Sequence, residues 1–231
     1  MPQKRARRRS NGSALVKRVK VLEEKQKADD KNTEYKVSYY NLTQVMDDSW
    51  GVNSGMAPRS ITGADAETNM IGSGAARIGN EINLRHWSLE GYIDLPKSVD
   101  GTPTYPLSQV PCRIILADNL TDDSALGISD ILQNPTSTAQ SLISPYKNSA
   151  NASKRYKIYA DYKFTLTGEK DKRIKFKMPL PKSGRVLHFA SSSATTPSDF
   201  NMTVLFYAQS SVTGSNHPNF NYVVKSRFTD S

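Results

Sequence analysis

Short runs of β-branched and aromatic residues, separated by glycine, proline, asparagine and serine, dominate the chain beyond Glu34. Runs of this length, with turn residues between them, are typical of strands in an all-β sandwich or barrel. At 231 residues and 37% hydrophobic content, the chain can bury the core of one ordinary domain. The predicted strands are Tyr35–Val45, Glu81–Leu95, Cys112–Asp118, Tyr156–Thr167, Arg173–Leu180, Arg185–Ala190, Met202–Ala208 and Tyr222–Phe228.

Two segments interrupt this pattern. Apolar residues at helical spacing predict a helix over Asp122–Leu132, inserted after the strand that contains Cys112. Residues 46–76 are rich in Gly, Ser, Asn and Asp, which predicts a long connection. Long connections in a compact β domain usually form binding or assembly surface.

Positive charge is concentrated at the N-terminus. The first 20 residues carry eight Lys or Arg and no acid, whereas the formal net charge of the whole chain is +9. We therefore expect residues 1–33 to form a basic internal arm with a short helix, and residues 34–231 to form the folded domain. Such an arm indicates a polyanionic partner, nucleic acid first and an anionic membrane surface second. The candidate nucleic-acid-binding residues are Lys4, Arg5, Arg7, Arg8, Arg9, Lys17, Arg18 and Lys20.

An amphipathic helix is predicted from Ser13 to about Lys27. Leu15, Val19 and Leu22 follow i, i+4, i+7 spacing and make one narrow apolar stripe. A stripe this narrow does not sustain an isolated helix in water. Two partners remain open: the domain of the same chain, or copies of the helix in an assembly.

A second basic feature lies within the predicted β domain. Arg173, Lys175 and Lys177 alternate with apolar residues, so that one face of their strand is cationic. Further cations surround the preceding strand, at Lys154, Arg155, Lys157 and Lys163. Either these faces are simply solvated, or they face the same polyanion as the arm.

Motifs that would indicate an enzyme are missing from the sequence. It contains neither a phosphate-binding G-x-x-x-x-G-K-[ST] loop nor a G-x-S-x-G nucleophile motif. Its three histidines are not at metal-ligand spacing, and Cys112 in an apolar run is typical of a buried structural thiol. We therefore expect no catalytic residues, and the absence of a long apolar stretch predicts no membrane insertion.

The segment Ala76-Arg77-Ile78-Gly79-Asn80-Glu81-Ile82 resembles the start of the first long strand in capsid proteins of circular single-stranded DNA viruses that encode a replication initiator. It is also similar to the coat of satellite tobacco necrosis virus. Ile115–Asn119, Leu166–Glu169 and Phe228–Asp230 extend the resemblance in the same order along the chain. It implies an eight-stranded jelly-roll sandwich with a basic N-terminal arm and a short N-terminal helix.

The resemblance also implies a function. Copies of the chain are expected to assemble into a small icosahedral shell of sixty subunits and to package a single-stranded viral genome. Arg77 is expected to pair with a neighbouring subunit and Leu15, Val19 and Leu22 to associate around a symmetry axis. The sequence identifies no host receptor.

Location and genome type follow from the arm. Lys-Arg-Ala-Arg-Arg-Arg fits the basic type of nuclear localisation signal, which favours DNA over RNA as the genome. The protein is then expected in the virion, and in the host nucleus during infection.

Calcium at subunit contacts is a further expectation from the satellite coat. Glu24 (or its neighbour Glu23) and Asp230 align with its metal-binding acids, and Glu81 could add a carboxylate, but Gly72 stands where a second acid is expected. Solvated carboxylates remain the alternative to a site.

A different class of function is a monomeric nucleic-acid-binding β-barrel module with a basic tail. Aromatic stacking platforms among basic residues would favour it. Tyr156, Tyr159 and Tyr162 lie among lysines, but their spacing of three does not keep to one strand face. Size-exclusion chromatography separates the two hypotheses. A capsid protein elutes as a large particle or its capsomers, whereas a monomeric module elutes at about the 25.6 kDa of one chain.

Overall fold

The computed structural model describes residues 16–25, 35–58, 77–95, 109–121, 123–136, 138–147, 155–167, 170–210 and 217–230. The chain divides into two compact units, Met1–Tyr35 and Lys36–Ser231. In the first unit, α1 spans residues 16–25, inside the range predicted from the sequence; the predicted ends at Ser13 and Lys27 lie outside the described residues. No helix in the described ranges is long and apolar enough to cross a membrane.

The second unit contains two antiparallel sheets. Their described strands are β1 (Lys36–Val45), β2 (Gly51–Asn53), β3 (Glu81–Asp94), β4 (Gln109–Asn119), β5 (Tyr156–Thr167), β6 (Lys172–Lys177), β7 (Arg185–His188), β8 (Asn201–Ala208) and β9 (Asn219–Asp230). One sheet has the order β1-β9-β3-β6, with β7 also paired to β3, and the other has the order β2-β8-β4-β5.

The strand pairs are nested along the chain. β1 pairs with β9, β2 with β8, β3 with β6 and β7, and β4 with β5. This is the pairing of one long hairpin rolled into two sheets, which defines a jelly roll. β6 and β7 are two pieces of one strand position, separated by a turn where Gly184 has φ +81°. The predicted eight-stranded jelly-roll sandwich is therefore confirmed, with one strand position broken in two.

The core lies between the sheets and follows from strand alternation. Along β3, Ile82, Leu84, Trp87, Leu89 and Ile93 are buried. The alternation of buried and exposed positions changes phase once, because a β-bulge shifts the register between Leu84 and His86.

β4 and β8 are buried along almost their whole length, unlike β3. One face of each lies in the core, and residues 126–132 of an insertion pack on the other face, where Ile115 and Leu205 contact Leu126, Ile131 and Leu132. Cys112 is buried in the main core, as predicted, and burial raises the pKa of its thiol to about 12.

The insertion differs from its prediction. The expected helix Asp122–Leu132 is replaced by two short helices, α2 (Ile128–Ile131) and α3 (Thr138–Ile143). The helix begins only after Gly127, whose N–H donates to the Asp130 carboxylate at 2.9 Å. Upstream, the Asn119 side chain accepts the N–H of Thr121 at 3.1 Å and holds a turn there. Local side-chain hydrogen bonds of this kind compete with helix formation.

Candidate nucleic-acid interface

The structure describes only three of the eight N-terminal cations. Lys4, Arg5, Arg7, Arg8 and Arg9 lie outside the described residues, as does the apolar residue Leu15. Helix α1 carries the other three predicted cations, Lys17, Arg18 and Lys20, and all three are exposed. Their assignment to nucleic-acid binding stays a prediction.

Apolar residues of α1 are also exposed. Val19 is 44% exposed and Leu22 is 65% exposed, at positions three apart on one side of the helix. Exposed valine and leucine side chains on a short helix are available for contact with another surface. The predicted role of this stripe in assembly stays a prediction.

In the β1-β9-β3-β6 sheet, the side chains that point away from the core form ordered rows across the strands. The first row consists of Tyr39, Lys225, Ser88 and Lys177. The second consists of Asn41, Val223, Glu90 and Lys175, and the third of Thr43, Asn221, Tyr92 and Arg173. We call this surface the basic face, because its exposed cations are Arg173, Lys175, Lys177, Lys225 and Arg227.

Two cations of the basic face have close neighbours among the described residues. Lys175 pairs with Glu90 at 3.4 Å, but both side chains are largely exposed, so the pair is weak. Lys225 lies 5.7 Å from the centre of the Tyr39 ring. Among the described residues, no carboxylate forms an ion pair with Lys177 or Lys225.

A groove of about 610 Å³ lies on the part of the basic face formed by the second and third rows. Its lining combines the cations Arg173 and Lys175, the Glu90 carboxylate that pairs with Lys175, two amides and the Tyr92 ring. Arg173 lies 5.7 Å from the centre of the Tyr92 ring, whose hydroxyl donates to Asp171. Thr43 donates to Asn221 at 2.7 Å. These groups can contact phosphate, sugar and base.

His86 lies near the cations of the basic face, and they contribute to its lowered pKa. Its Nε2 lies 2.9 Å from the Ser88 hydroxyl. Burial lowers the pKa of His86 below 6.5, and three nearby cations lower it further. Those cations are Lys177, Lys225 and Arg227.

The cations around the preceding strand do not share this surface. Lys157 and Lys163 are exposed on β5, which belongs to the other sheet. The sequence placed the two strands next to each other, but the chain crosses between sheets after β5. The cations of β5 and β6 therefore lie on different sheets, and contact with a polyanion stays a prediction for each of them.

Arg77 is buried inside its own chain. Its guanidinium donates to the carbonyl oxygens of Gly79 and Ala194 and, at 3.3 Å, to that of Ser191. It also stacks 3.6 Å from the centre of the Phe189 ring. These contacts give the arginine a role inside the subunit, and its pairing with a neighbouring subunit stays a prediction.

The acids proposed for calcium have other partners in the described structure. Asp230 pairs with Lys36 and accepts the N–H of Ile78 at 3.2 Å, and Glu81 lies 3.3 Å from His188. No group of three or more His, Cys, Asp or Glu that could hold a metal occurs in the described ranges. Within one chain, Asp230 therefore has Lys36 and the Ile78 N–H as its partners, and a calcium site at subunit contacts stays a prediction. Glu24 belongs to the α1 unit, and its role with Asp230 stays a prediction.

A buried ion pair that the sequence did not reveal fixes the insertion. Arg113 donates to both carboxylate oxygens of Asp161, at 3.0 and 2.8 Å, and to the carbonyls of Ser141 and Ser144. Burial acts to raise the pKa of Asp161, but hydrogen bonds from Arg113 and Tyr146 outweigh it and lower the pKa. This arginine attaches α3 to the sheet and is structural.

Comparisons with known proteins give only weak matches. No protein-family model and no curated protein matches the chain. Among solved structures, a chain of Desmodium yellow mottle tymovirus is 13% identical with a TM-score of 0.38, over 86% of this chain and 87% of that one. A chain of deformed wing virus, a honeybee pathogen, is 12% identical with a TM-score of 0.28, over 87% and 76%.

A chain from the full particle of Israeli acute paralysis virus, heated to 63 degrees, is 14% identical with a TM-score of 0.25, over 82% and 72%. TM-scores this low support no conclusion about function. The assignment of the jelly roll depends on the strand pairing alone.

Proposed function

We propose that this chain is a viral capsid protein whose copies assemble into a closed icosahedral shell, of sixty subunits, around a single-stranded genome. One observation carries the proposal: a jelly roll with fully nested strand pairs is joined to an N-terminal segment of eight cations and no acid. Jelly rolls occur in viral capsid and lectin domains. The cationic segment favours a capsid protein over a lectin, because its charge indicates a polyanionic partner such as nucleic acid.

The segment suits packaging rather than sequence recognition. Lysine and arginine bind phosphates by releasing counterions, and phosphate contacts carry no base information. Sixty copies at eight charges each supply about 480 charges, which neutralise about 500 nucleotides one for one. A longer genome needs further cations from the protein or from solution.

The arm also supports a nuclear stage. Lys4, Arg5 and Arg7 to Arg9 form a cluster of the nuclear-import type, and import serves a DNA genome. We therefore place the protein in the virion and, during infection, in the host nucleus, with DNA as the packaged nucleic acid. Digestion of the extracted nucleic acid with DNase and with RNase tests this choice, and sensitivity to RNase alone would reject it.

Deletion of residues 2–12 tests the packaging role of the arm. The variant loses Lys4, Arg5, Arg7, Arg8 and Arg9 and keeps every described residue. We expect particles, or folded capsomers, that contain much less nucleic acid per protein than those of the full chain. The measurement is the absorbance ratio and phosphate content of material purified by sedimentation.

The matched control replaces the same five cations with glutamine, which preserves chain length. It should lose nucleic acid to the same extent, because charge is the cause. Elution of the full chain only as a monomer of 25.6 kDa would reject the capsid and favour the monomeric module. Unchanged nucleic-acid content in both variants would reject the role of the arm.

A further inference from the structure

The cations on the basic face are spaced regularly along one strand. Arg173, Lys175 and Lys177 occupy every second position of β6 and all are exposed. Same-face side chains in a strand are about 6.8 Å apart, comparable to successive phosphates of an extended single strand. Folding thus produces a line of three positive charges that could follow a nucleic-acid backbone.

A second line of cations, Lys225 and Arg227 on β9, runs parallel to the first on the other side of β3. Lys225 and Lys177 lie on opposite sides of Ser88 in the same row. Two strand spacings separate them by about 10 Å. Like charges held this close repel each other and raise the free energy of the chain unless an anion is present. Burial lowers the pKa of nearby His86, and Lys177, Lys225 and Arg227 lower it further.

The groove supplies what a bare charged surface lacks. Tyr92 lines the groove with a partly exposed ring, and Tyr39 presents another partly exposed ring on β1, in the row of Lys225 and Lys177. Asn221, Asn41 and Thr43 add hydrogen-bonding groups. Cations that follow the backbone, together with rings on which bases can stack, are the pattern of sequence-tolerant single-strand binding.

We propose that the basic face is a second binding surface for single-stranded nucleic acid, with phosphates along Arg173, Lys175 and Lys177 and near Lys225, and bases in the groove. This inference rests on the proposed packaging function. It assigns the β1-β9-β3-β6 sheet to the genome side of the shell. The basic face would also supply cations in addition to those of the arm, and a genome longer than about 500 nucleotides needs such additional cations.

The test compares three full-length chains: the wild type, a face variant and a matched control. The face variant is Arg173→Gln, Lys177→Gln and Lys225→Gln. The control, Lys147→Gln, Lys157→Gln and Lys163→Gln, removes the same charge from exposed sites near the insertion and on β5 of the other sheet. Each is titrated with labelled oligothymidine and oligouridine over a range of salt concentrations.

For single strands, each phosphate contact contributes about 0.7 to the slope of log affinity against log salt. We expect the slope of the face variant to fall by about 2 relative to wild type and that of the control to stay unchanged. Equal slopes in the face variant and wild type, or equal losses in both variants, would overturn the inference. If the triple variant does not fold, Lys225→Gln alone should lower the slope by about 0.7.

Sedimentation of the same samples separates this inference from the proposed function. Absence of particles from the wild type would reject the capsid, whereas the salt slopes still decide whether the face binds nucleic acid. A face variant that keeps the wild-type slope but fails to assemble would identify the face as a contact between subunits, which contradicts the inference. Photocrosslinking of oligothymidine to Tyr39 or Tyr92, and not to Tyr162 on β5, is the positional result we expect.

Discussion

The role of Arg77 depends on contacts that a local motif does not contain. The resemblance to viral coat proteins implies that Arg77 pairs with a neighbouring subunit. In the structure, the Arg77 guanidinium joins the loop that contains Ser191 and Ala194 to the start of β3. Burial lowers the pKa of Arg77, although nearby Asp230 opposes that effect. Gly79, with φ +85°, allows the chain to turn back toward the guanidinium.

His86 should make stability depend on pH. Its pKa is lowered below 6.5 in the folded state, by burial first and by neighbouring cations second. The unfolded chain therefore binds the proton more tightly, so this contribution to stability is present above pH 6.5 and is lost as the pH falls toward the folded pKa. We expect His86→Gln to lose less stability than wild type between about pH 7.5 and about pH 5.5.

Urea unfolding midpoints at the two pH values measure this difference. His188→Gln serves as the control, because His188 is exposed beside Glu81 at the edge of the sheet, away from Lys177 and Lys225. Parallel pH profiles for wild type and His86→Gln would contradict the prediction.

At the scale of elements, strands with a sustained apolar or alternating run were predictable from the sequence, and the three-residue strand β2 was not. β3, β5 and β8 lie within a residue of their predicted ranges, because each carries a sustained apolar or alternating run. β2 has three residues, Gly51–Asn53, inside what the sequence suggests is a loop. No periodic signal exists at that length, and its strand character comes from pairing with β8.

The basic face depends on the pairing of strands that are far apart in the chain, which the sequence alone does not reveal. The alternation along β6 was visible, and the same alternation at Lys225 and Arg227 was available in the last predicted strand. The sequence could not show that these strands flank β3 in one sheet, because that pairing joins residues far apart in the chain. The charges of β5, close in sequence to those of β6, are placed on the other sheet by the same nesting.

Helix α1 gives a prediction about assembly. Val19→Asp introduces a charge into the stripe of Val19 and Leu22, at a site that is 44% exposed. Exposed substitutions change the free energy of unfolding by about 0.5 kcal/mol or less. If the helix associates with its copies, the buried charge should instead strongly reduce particle yield.

Sedimentation velocity and urea unfolding, applied to the same preparation, compare the two effects. Val21→Asp is the control, since Val21 is also exposed but lies on another side of the helix. Equal loss of particles in both variants would show that the stripe has no special role. Equal loss of assembly and of stability in Val19→Asp would favour the alternative, a helix packed on its own domain.

At the scale of the whole molecule, charge and folded core belong to different parts of the chain. Residues 1–33 carry 11 Lys or Arg and 4 Asp or Glu, a net +7, which leaves +2 of the total +9 for residues 34–231. The residues of both hydrophobic clusters lie between Tyr40 and Phe228. In the proposed capsid, this division would keep the wall nearly neutral, which would limit repulsion between neighbours, and would confine most of the positive charge to one segment.

Removal of residues 2–33 tests this division. β1 begins at Lys36, and both clusters remain complete, so we expect a cooperatively folded sandwich. Its Tm should differ from that of the full chain by less than about 4 °C, the shift that about 1 kcal/mol causes in a domain of this size. Differential scanning calorimetry measures Tm, and the full chain in the same buffer is the reference.

The same truncated chain separates the two proposed sources of nucleic-acid affinity. Without the arm, its binding to oligothymidine should weaken strongly but keep a salt slope of about 3, since Arg173, Lys175, Lys177 and Lys225 are still present. Adding Arg173→Gln, Lys177→Gln and Lys225→Gln to the truncation should lower that remaining slope by about 2. A broad, non-cooperative melting curve would show that the segment before Glu34 is part of the folded domain. A truncated chain that melts as expected but shows no salt-dependent binding would leave the arm as the sole source of affinity and would count against the basic face.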